Sequence, residues 1–322
     1  MKQADALRAA RLLAGADHIT ILCHRKPDGD TLGAGFGLYF ALQNLGKTAR
    51  VLCADGYPAL YSFLYGDYVP EDFKESFVTA VDIAAPALMG ALEESYAARV
   101  DLAIDHHPSN TGYAAETFLD PDASSASELV RAVIRCLDLP LDARIGRCLY
   151  TGVATDTGCF RYGNTTPAAH RIAAEVMECG VDAEPIVRLL FETKTPQRVA
   201  FESLLLSKIR FYYGGRCAVI STDGETIDRY GLDEYDLEGL SALPRRIAGV
   251  VVGVTIRSRD GECRVSVRTN EPADACAVCA AFGGGGHLRA AGCTICAGIP
   301  EAERLLVEQI GRQLNEKAAP AL

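Results

Sequence analysis

Short apolar runs alternate with stretches of helical spacing through the first half of the chain. The apolar runs at 19–23, 49–54, 77–81 and 100–104 predict strands. Apolar residues at helical spacing predict helices over 4–13, 31–45, 86–96, 124–137, 142–154, 167–179 and 184–191. Strands that alternate with helices are typical of a doubly wound, mostly parallel sheet with helices on both faces. The sequence therefore predicts an α/β domain over residues 1–194.

The pattern changes after a helix predicted at 195–207, which we expect to serve as a connector over 195–210. Two hairpins follow, with Gly214-Gly215 and Asp260-Gly261 at their turns. Their strands are predicted at 209–213, 217–221, 250–257 and 263–268, and a helix at 273–282, a strand at 292–296 and a helix at 300–315 complete the chain. This pattern predicts a smaller α+β domain over 211–322.

Composition and charge narrow the classes of partner. The 322 residues carry a net charge of −10, whereas proteins that grip long duplex nucleic acid usually have a basic balance. We therefore expect a small or short anion instead of a long duplex. No apolar run is long enough to span a bilayer, so no membrane partner is expected. The chain opens on a charged amphipathic helix and not on a signal peptide, which favours a cytoplasmic location.

Basic residues are concentrated in one segment of the second domain. Between Leu243 and Gly292 there are seven arginines and four acidic residues. The run Gly283–Gly286 lies in this segment and is followed by His287 and Arg289. Consecutive glycines let backbone N–H groups approach an anion closely, so we expect a phosphate-binding loop, with a flexible loop as the alternative.

Acidic and histidine residues follow four buried runs, which end at residues 23, 81, 104 and 154. These residues are His24, Asp28, Asp30, Asp82, Asp105, His106, His107 and Asp156. Because ligands of open α/β sheets collect at the carboxyl ends of strands, we expect these side chains to share one crevice. So many carboxylates need a counter-charge, and two divalent ions that share one carboxylate would supply it.

Each group also has a simpler interpretation. The turn from His24 to Asp30 could be a polar turn whose aspartate caps the helix that starts at Thr31. His106 and His107 could be a surface pair. Directly after a strand, however, we expect them to point to opposite sides, one towards metal and the other towards a substrate phosphate. Asp105 would then hold an imidazole nitrogen.

The twelve cysteines are expected to be reduced thiols, since most lie inside apolar runs and no signal peptide precedes them. One pattern, Cys276-x-x-Cys279 and Cys293-x-x-Cys296, has nearly the spacing of a four-thiolate zinc site. We discount this site, because an i, i+3 pair on a strand points to opposite faces.

Taken together, these motifs resemble the DHH phosphoesterase superfamily. The matching marks are the His-x-x-x-Asp-x-Asp group at 24–30, Asp82, the triplet at 105–107, Asp156, Ser266-Val267-Arg268 and the glycine-rich run at 283–287 with Ala290-Ala291-Gly292. The last two elements resemble the DHHA1 domain that accompanies the DHH domain. By size and layout, the chain is most similar to the branch of bifunctional oligoribonucleases and 3′-phosphoadenosine 5′-phosphate (pAp) phosphatases.

The resemblance implies two Mn²⁺ ions, with Mg²⁺ or Co²⁺ as substitutes. It implies that His24, Asp28 and Asp82 hold the first ion. It implies that Asp30, Asp82, His106 and Asp156 hold the second, with Asp82 as the bridge. His107, with Asp105 behind it, would act on the phosphate. The second domain would hold the nucleotide through the residues Ser266, Arg268, Gly284, Gly285, Gly286 and His287.

Several activities are compatible with this resemblance. The leading hypothesis is hydrolysis of short single-stranded RNA to mononucleotides, together with removal of a phosphate from pAp. The alternatives are a phosphodiesterase for pApA or cyclic di-AMP, a manganese pyrophosphatase, and a non-catalytic nucleotide-binding protein. The oligomeric state stays open, with a homodimer as one expectation.

Overall fold

The chain forms two compact units in the computed structural model, which describes residues 2–66, 68–232, 236–237 and 239–315. The first unit comprises residues 1–193 and the second residues 194–322. Each unit contains one six-stranded sheet, which confirms the predicted α/β class. Among the described residues, no helix has both the length and the apolar character that crossing a membrane requires.

The first unit is a fully parallel sheet covered by helices. Its strands are β1 (Lys2–Gln3), β2 (Ile19–Leu22), β3 (Ala49–Leu52), β4 (Phe77–Val81), β5 (Leu102–Asp105) and β6 (Glu116–Leu119). Their order in the sheet is β1-β6-β5-β4-β2-β3. The helices are α1 (Ala6–Gly15), α2 (Gly29–Asn44), α3 (Ser62–Tyr65), α4 (Glu93–Tyr96), α5 (Ala126–Cys136), α6 (Ala143–Asp156), α7 (Pro167–Glu178) and α8 (Glu184–Val187). The strands β2, β4 and β5 lie side by side, so their carboxyl ends meet at one edge.

Helix α2 is buried along most of its length and packs closely against α6. The close approach depends on Gly33, because a Cβ atom there would lie 2.5 Å from the carbonyl oxygen of Cys148. Gly37 also faces α6, where a Cβ atom would lie 3.3 Å from Cδ2 of Leu149, whereas Gly35 faces Cys23 directly after β2. This packing brings the start of α2 next to the end of α6.

The second unit is a mixed sheet. Its elements are α9 (Pro196–Ser207), β7 (Arg210–Tyr212), β8 (Cys217–Asp223), α10 (Gly224–Arg229), β9 (Val252–Arg259), β10 (Glu262–Thr269), α11 (Ala275–Ala280), β11 (Gly285–His287), β12 (Ala290–Ile295) and α12 (Ile299–Leu314). The order is β11-β12-β10-β9-β8-β7, and only β8 and β9 run parallel among these pairs. Both predicted hairpins are present. The helix predicted as a connector, α9, lies within this unit.

Two local predictions differ from the structure, whereas the helix predicted over 142–154 is confirmed as α6. The segment Pro86–Leu92 is a 3₁₀ helix that is broken at Gly90, where φ is 61°. Residues Gly285–His287 form an edge strand and not a loop, since they pair with β12.

Candidate metal centre

The turn between β2 and α2 places His24 and Asp28 at the carboxyl edge of the sheet. Nε2 of His24 lies 3.6 Å from Oδ1 of Asp28 and 3.5 Å from Oδ2 of Asp82. Nδ1 of His24 lies 2.8 Å from the carbonyl oxygen of Arg25. Because a carbonyl only accepts, Nδ1 carries a proton, and Nε2, which faces the two carboxylates, is the nitrogen that can bind a metal ion once it has lost its own proton.

Asp28 combines both roles that the sequence offered for it. Its Oδ1 accepts hydrogen bonds from the backbone N–H groups of Asp30 and Thr31, at 3.0 and 3.1 Å, and so caps α2. The same oxygen faces His24. The hydrogen bonds of the cap hold the Asp28 carboxylate next to the His24 imidazole. The capping role therefore explains how Asp28 is oriented as a candidate metal ligand.

Asp82 lies at the centre of the cluster. It directly follows β4 in a left-handed conformation, with φ at 60°, which aspartate tolerates better than most residues. Its Oδ1 atom is buried and accepts no hydrogen bond from the described residues. Nε2 of His106 and Nδ1 of His107 lie 3.6 and 3.5 Å from that oxygen. A buried carboxylate oxygen without a hydrogen-bond partner is unfavourable unless a cation binds to it.

The two histidines do not point to opposite sides, so that prediction was wrong. Strand β5 ends at Asp105, and strand alternation no longer applies beyond it. The backbone N–H groups of His106 and His107 instead both donate to Oδ1 of Asp105. The two rings consequently lie side by side, with centroids 4.5 Å apart, and both approach Asp82.

Asp30 is held by the N-terminus of α5. Its Oδ2 accepts from the N–H of Ala126 at 2.7 Å, and its Oδ1 accepts from the N–H of Ser127 at 3.0 Å. Free N–H groups and the helix dipole both favour negative charge at this position. Asp30 also lies near the cluster, since its Oδ2 is 4.0 Å from Nε2 of His106.

Asp156 reaches the site from the end of α6 and not from a strand. Its Oδ2 lies 3.7 Å from Nε2 of His106. Asn164, which the sequence analysis overlooked, donates from Nδ2 to the backbone oxygen of Asp156 at 3.2 Å and to that of Ser124 at 3.0 Å. A side-chain amide in a loop forms no repeating pattern, and only the position of Asn164 eight residues after Asp156 could have drawn attention to it.

The electrostatics of the cluster are those of a site that needs a cation. Burial and the neighbouring Asp30 raise the pKa of Asp82 to about 8. Burial and the same neighbour raise the pKa of Asp156 well above its usual range. Burial opposes charge on His24, but hydrogen bonds to Asp28 and Asp82 outweigh it and raise the pKa to about 11. Protons bound to these groups therefore reduce the net negative charge of the cluster.

The residues form three groups whose ligand atoms lie within 4.8 Å of one another. The groups are His24, Asp28 and Asp82; Asp30, His106 and Asp156; and Asp82, His106 and His107. Mixed carboxylate and imidazole donors suit divalent ions such as Mn²⁺, and the unpaired Oδ1 of Asp82 fits such an ion. The arrangement therefore fits a centre for divalent metal.

A hydrogen-bonded chain runs from His107 away from the cluster. Nδ1 of His107 lies 2.8 Å from Oδ1 of Asp105, which is fully buried. Nδ2 of Asn110 donates to Oδ2 of Asp105 at 2.6 Å. The hydrogen bond to Asp105 raises the pKa of His107 to about 9. Asn110 was also missed, although it lies only three residues after the triplet.

In the second unit, the register brings the predicted substrate residues together. Ser266 pairs with Gly292, which pairs with Gly285. Arg268 pairs with Ala290, which pairs with His287. The side chain of His287 lies outside the part that the structure describes.

Residues Ser266 and Arg268 share one face of the sheet, because they are two apart on one strand. Gly284 and Gly286 lie against β12: a Cβ atom on Gly284 would be 2.2 Å from the carbonyl oxygen of Gly292, and one on Gly286 would be 2.5 Å from that of Ala290. The glycines are therefore needed for packing, whatever else they bind.

Known family models match segments of both units. The model of the DHH family N-terminal domain matches residues 18–153, and that of the DHHA1 domain matches residues 224–316. The bifunctional oligoribonuclease and PAP phosphatase NrnA of Thermus thermophilus is 34% identical over 284 residues, which are 86% of this chain and 84% of the relative.

Solved structures agree with this relationship. An exopolyphosphatase-related protein from Bacteroides fragilis superposes with a TM-score of 0.87 and 26% identity, covering 95% of this chain and 96% of that one. RecJ of Thermus thermophilus in complex with Mn²⁺ shares the fold, with a TM-score of 0.59 and 14% identity over 97% of this chain and 55% of that one. The chain therefore belongs to the DHH/DHHA1 family, as an NrnA-like member.

Proposed function

We propose that this chain is a divalent-metal-dependent phosphoesterase that hydrolyses short oligoribonucleotides to mononucleotides and removes a phosphate from pAp. The observation that carries the proposal is the convergence of four carboxylates and three imidazoles in three overlapping groups, with the unpaired Oδ1 of Asp82 among them. The likeness to NrnA of Thermus thermophilus supports the choice of substrates.

We assign the metal-holding residues from the distances. His24, Asp28 and Asp82 would hold one ion, and Asp30, His106 and Asp156, again with Asp82, would hold the other. Two Mn²⁺ ions, or Mg²⁺ or Co²⁺ in their place, would supply an activated water and stabilise charge on the phosphoryl oxygens. The α5 N-terminus keeps Asp30 oriented for this role, because the N–H groups of Ala126 and Ser127 donate to its two carboxylate oxygens.

His107 has a different role in this proposal. Its Nδ1 carries a proton that is donated to Asp105, so that nitrogen has no lone pair for a metal ion. The side chain of His107 is 33% exposed, whereas that of His106 is 12% exposed. Nε2 of His107 is then the atom that donates to a phosphoryl oxygen of the substrate, and Asp105 stabilises the charged imidazole.

The second unit would bind the rest of the nucleotide. Arg268 and Ser266 lie on one face of β10, next to the paired glycines of β11 and β12. An arginine and backbone N–H groups of glycines are suited to phosphate. We extend this role to Gly284, Gly285, Gly286 and His287 on the basis of the family resemblance.

A substrate panel tests the activity. Purified protein with Mn²⁺ is assayed on pAp, 5′-pApA, short RNAs, cyclic di-AMP and pyrophosphate. We expect turnover of short RNAs and pAp, with loss of activity on chelation and recovery when Mn²⁺ is returned. Turnover restricted to cyclic di-AMP and pApA would replace this function with that of a dinucleotide phosphodiesterase, and turnover restricted to pyrophosphate would overturn it.

A second comparison separates chemistry from recognition. Loss of one charged phosphate contact costs about 1.5–3 kcal/mol of binding, so Arg268→Ala should raise KM steeply for short RNA and pAp. The small ester bis-p-nitrophenyl phosphate offers little to the second unit, so its turnover should fall far less. Equal losses on both substrates would mean that the second unit builds the catalytic centre itself.

A further inference from the structure

The paired Cys-x-x-Cys motifs of the second unit remain outside the proposed function. The four cysteines do not converge: Cys296 lies just beyond β12 and is exposed, with Sγ 3.9 Å from a carboxylate oxygen of Glu262. Among the described residues, the groups that could hold a metal ion contain no cysteine. Two of the four, however, meet inside the unit.

Cys279 on α11 and Cys293 on β12 are in hydrogen-bond contact through their thiols. Backbone geometry places Gly284 between them. The N–H of Gly284 donates to the carbonyl oxygen of Cys279 at 3.0 Å. A Cβ atom on Gly284 would lie 2.4 Å from Cβ of Cys293. The two cysteines therefore flank the second residue of the glycine run, the one directly before β11.

The two thiols differ in exposure. Cys279 is fully buried, whereas Cys293 is partly exposed. The hydrogen bond from Cys279 lowers the pKa of Cys293, although burial opposes this. The same hydrogen bond and burial raise the pKa of Cys279. Cys293 is thus the thiol that an oxidant in solution reaches first and in its more reactive form.

We propose that Cys279 and Cys293 are an oxidisable pair that forms a disulfide under peroxide and thereby weakens substrate binding by the second unit. The first step breaks the O–O bond of the peroxide: the thiolate of Cys293 takes one oxygen as sulfenic acid, and hydroxide leaves. The sulfur of Cys279 then attacks that of Cys293, and the hydroxyl group leaves as water with the thiol proton. Two thiols and one hydrogen peroxide give one disulfide and two waters.

The link to substrate binding follows from the lack of space at Gly284. A disulfide requires the two sulfur atoms to approach to about 2.05 Å, closer than a hydrogen bond, so we expect α11 and β12 to adjust. Gly284 already lies against both elements, so we expect β11, which begins at the next residue, to shift with them. This consequence rests on the proposed function, because β11 matters for catalysis only if the glycine run binds the nucleotide.

Peptide mapping tests the disulfide independently of activity. Trypsin cleaves after Arg268, Arg289 and Arg304, which separates peptide 269–289 with Cys276 and Cys279 from peptide 290–304 with Cys293 and Cys296. The full-length protein is treated with hydrogen peroxide, its free thiols are alkylated, and the digest is analysed by mass spectrometry without reduction. We expect the two peptides to be linked through Cys279 and Cys293, and the link to disappear with dithiothreitol.

The neighbouring cysteines provide matched controls. Cys276→Ser and Cys296→Ser should form the link as wild type does, and Cys293→Ser should not. A link through Cys276 or Cys296, or oxidation of Cys293 without a link, would overturn the pair. If Cys293→Ser does not fold, the map of the wild-type protein still decides.

The kinetic consequence is measured on the same oxidised sample. Because a shift of the glycine run weakens contacts to the phosphates of the substrate, we expect KM for a short RNA to rise about tenfold or more, reversibly. Turnover of bis-p-nitrophenyl phosphate should stay within a factor of about two, since that ester needs little from the second unit. A linked protein with unchanged KM would refute the regulatory role, whereas failure of RNA hydrolysis in the reduced protein would refute only the proposed function.

Discussion

Asn110 donates a hydrogen bond of 2.6 Å from Nδ2 to Oδ2 of Asp105, and Oδ1 of that carboxylate lies 2.8 Å from Nδ1 of His107. One carboxylate therefore connects an amide in a loop with an imidazole at the candidate site. Asp105 is fully buried, and the hydrogen bonds from His107 and Asn110 hold its pKa below the usual range although burial opposes this. Asn110 thus keeps Asp105 charged and in position to orient His107.

Asn110→Ala should lower kcat without removing metal. Loss of such a supporting contact typically costs a factor of about 10–100 in activity. Metal content and KM should stay near wild type, because the side-chain hydrogen bonds of Asn110 go to Ile83, Asp105 and Gly112 and not to the metal-holding residues. Asn44→Ala, which removes an exposed asparagine that bonds Asp142, is the control and should leave kcat unchanged. In the His107→Ala background, Asn110→Ala should add no further loss; losses that multiply would disprove the connection.

Removing the central carboxylate should abolish every hydrolytic activity. Asp82 is the residue shared by two of the metal-holding groups, and its Oδ1 faces both His106 and His107. We expect Asp82→Asn to lose both ions and to turn over neither RNA nor bis-p-nitrophenyl phosphate, measured with Mn²⁺ in excess. Residual activity above one tenth of wild type would refute the two-ion assignment.

The same substitution should not destabilise the metal-free fold. The pKa of Asp82 is raised to about 8, so the unfolded chain loses this proton near pH 4 whereas the folded chain keeps it to about pH 8. Folding stability therefore falls as the pH rises between these values. Asp82→Asn removes this penalty, and its thermal midpoint without metal should equal or exceed that of wild type at pH 8. A large drop would indicate a structural role for the carboxylate.

The strand pattern predicted where the site lies but not how each residue enters it. Asp82 and Asp105 were located at strand ends because β4 and β5 are short apolar runs with a clear boundary. Asp156 comes from the end of a helix, α6, which the helical spacing over 142–154 predicted, and not from a strand end. The orientation of His106 and His107 depends on hydrogen bonds to Asp105, which no periodicity encodes.

Contacts between distant parts of the chain were out of reach of sequence reasoning. Nothing in the sequence singles out Gly152, yet it faces Ser127 on α5 and Asp30 on α2. Asn164 and Asn110 each stabilise a candidate site residue through one or two hydrogen bonds. The family resemblance supplied the ligand groups, but the residues that support them become visible only when the helices are packed.

Gly152→Ala should disrupt the candidate metal centre, because it overpacks α6 against the neighbouring helices. A Cβ atom at this position would lie 1.9 Å from Oγ of Ser127 and 2.6 Å from Oδ1 of Asp30. Overpacking of this kind typically costs about 1–3 kcal/mol, and here it also displaces a candidate ligand. We expect a lower unfolding midpoint together with weaker Mn²⁺ binding. Gly15→Ala in α1 meets no atom within 4 Å and should be neutral or stabilising; equal behaviour of the two variants would contradict the packing argument.

Metal binding should release protons, because the metal-free site is partly neutralised by them. The pKa of His24 is raised to about 11 and that of Asp82 to about 8, so both groups hold a proton at pH 6.5. A ligand must be deprotonated to bind a metal ion, so protons and Mn²⁺ compete for the same atoms. Affinity for Mn²⁺ should therefore rise as the pH rises from 6.5 to 8.5.

The number of protons released on Mn²⁺ binding at each pH separates the contribution of His24 from that of Asp82. We expect release of at least two protons per chain at pH 6.5, from His24 and Asp82 and from any proton that Asp156 retains, and of fewer at pH 9.5, where Asp82 has already lost its proton and His24 has not. Isothermal titration calorimetry in buffers of different ionisation enthalpy measures this number directly. His170→Ala, which removes an imidazole stacked on Phe160 and outside the metal-holding groups, should leave it unchanged. Binding that releases no proton at pH 6.5 would mean that His24 and Asp82 are not ligands.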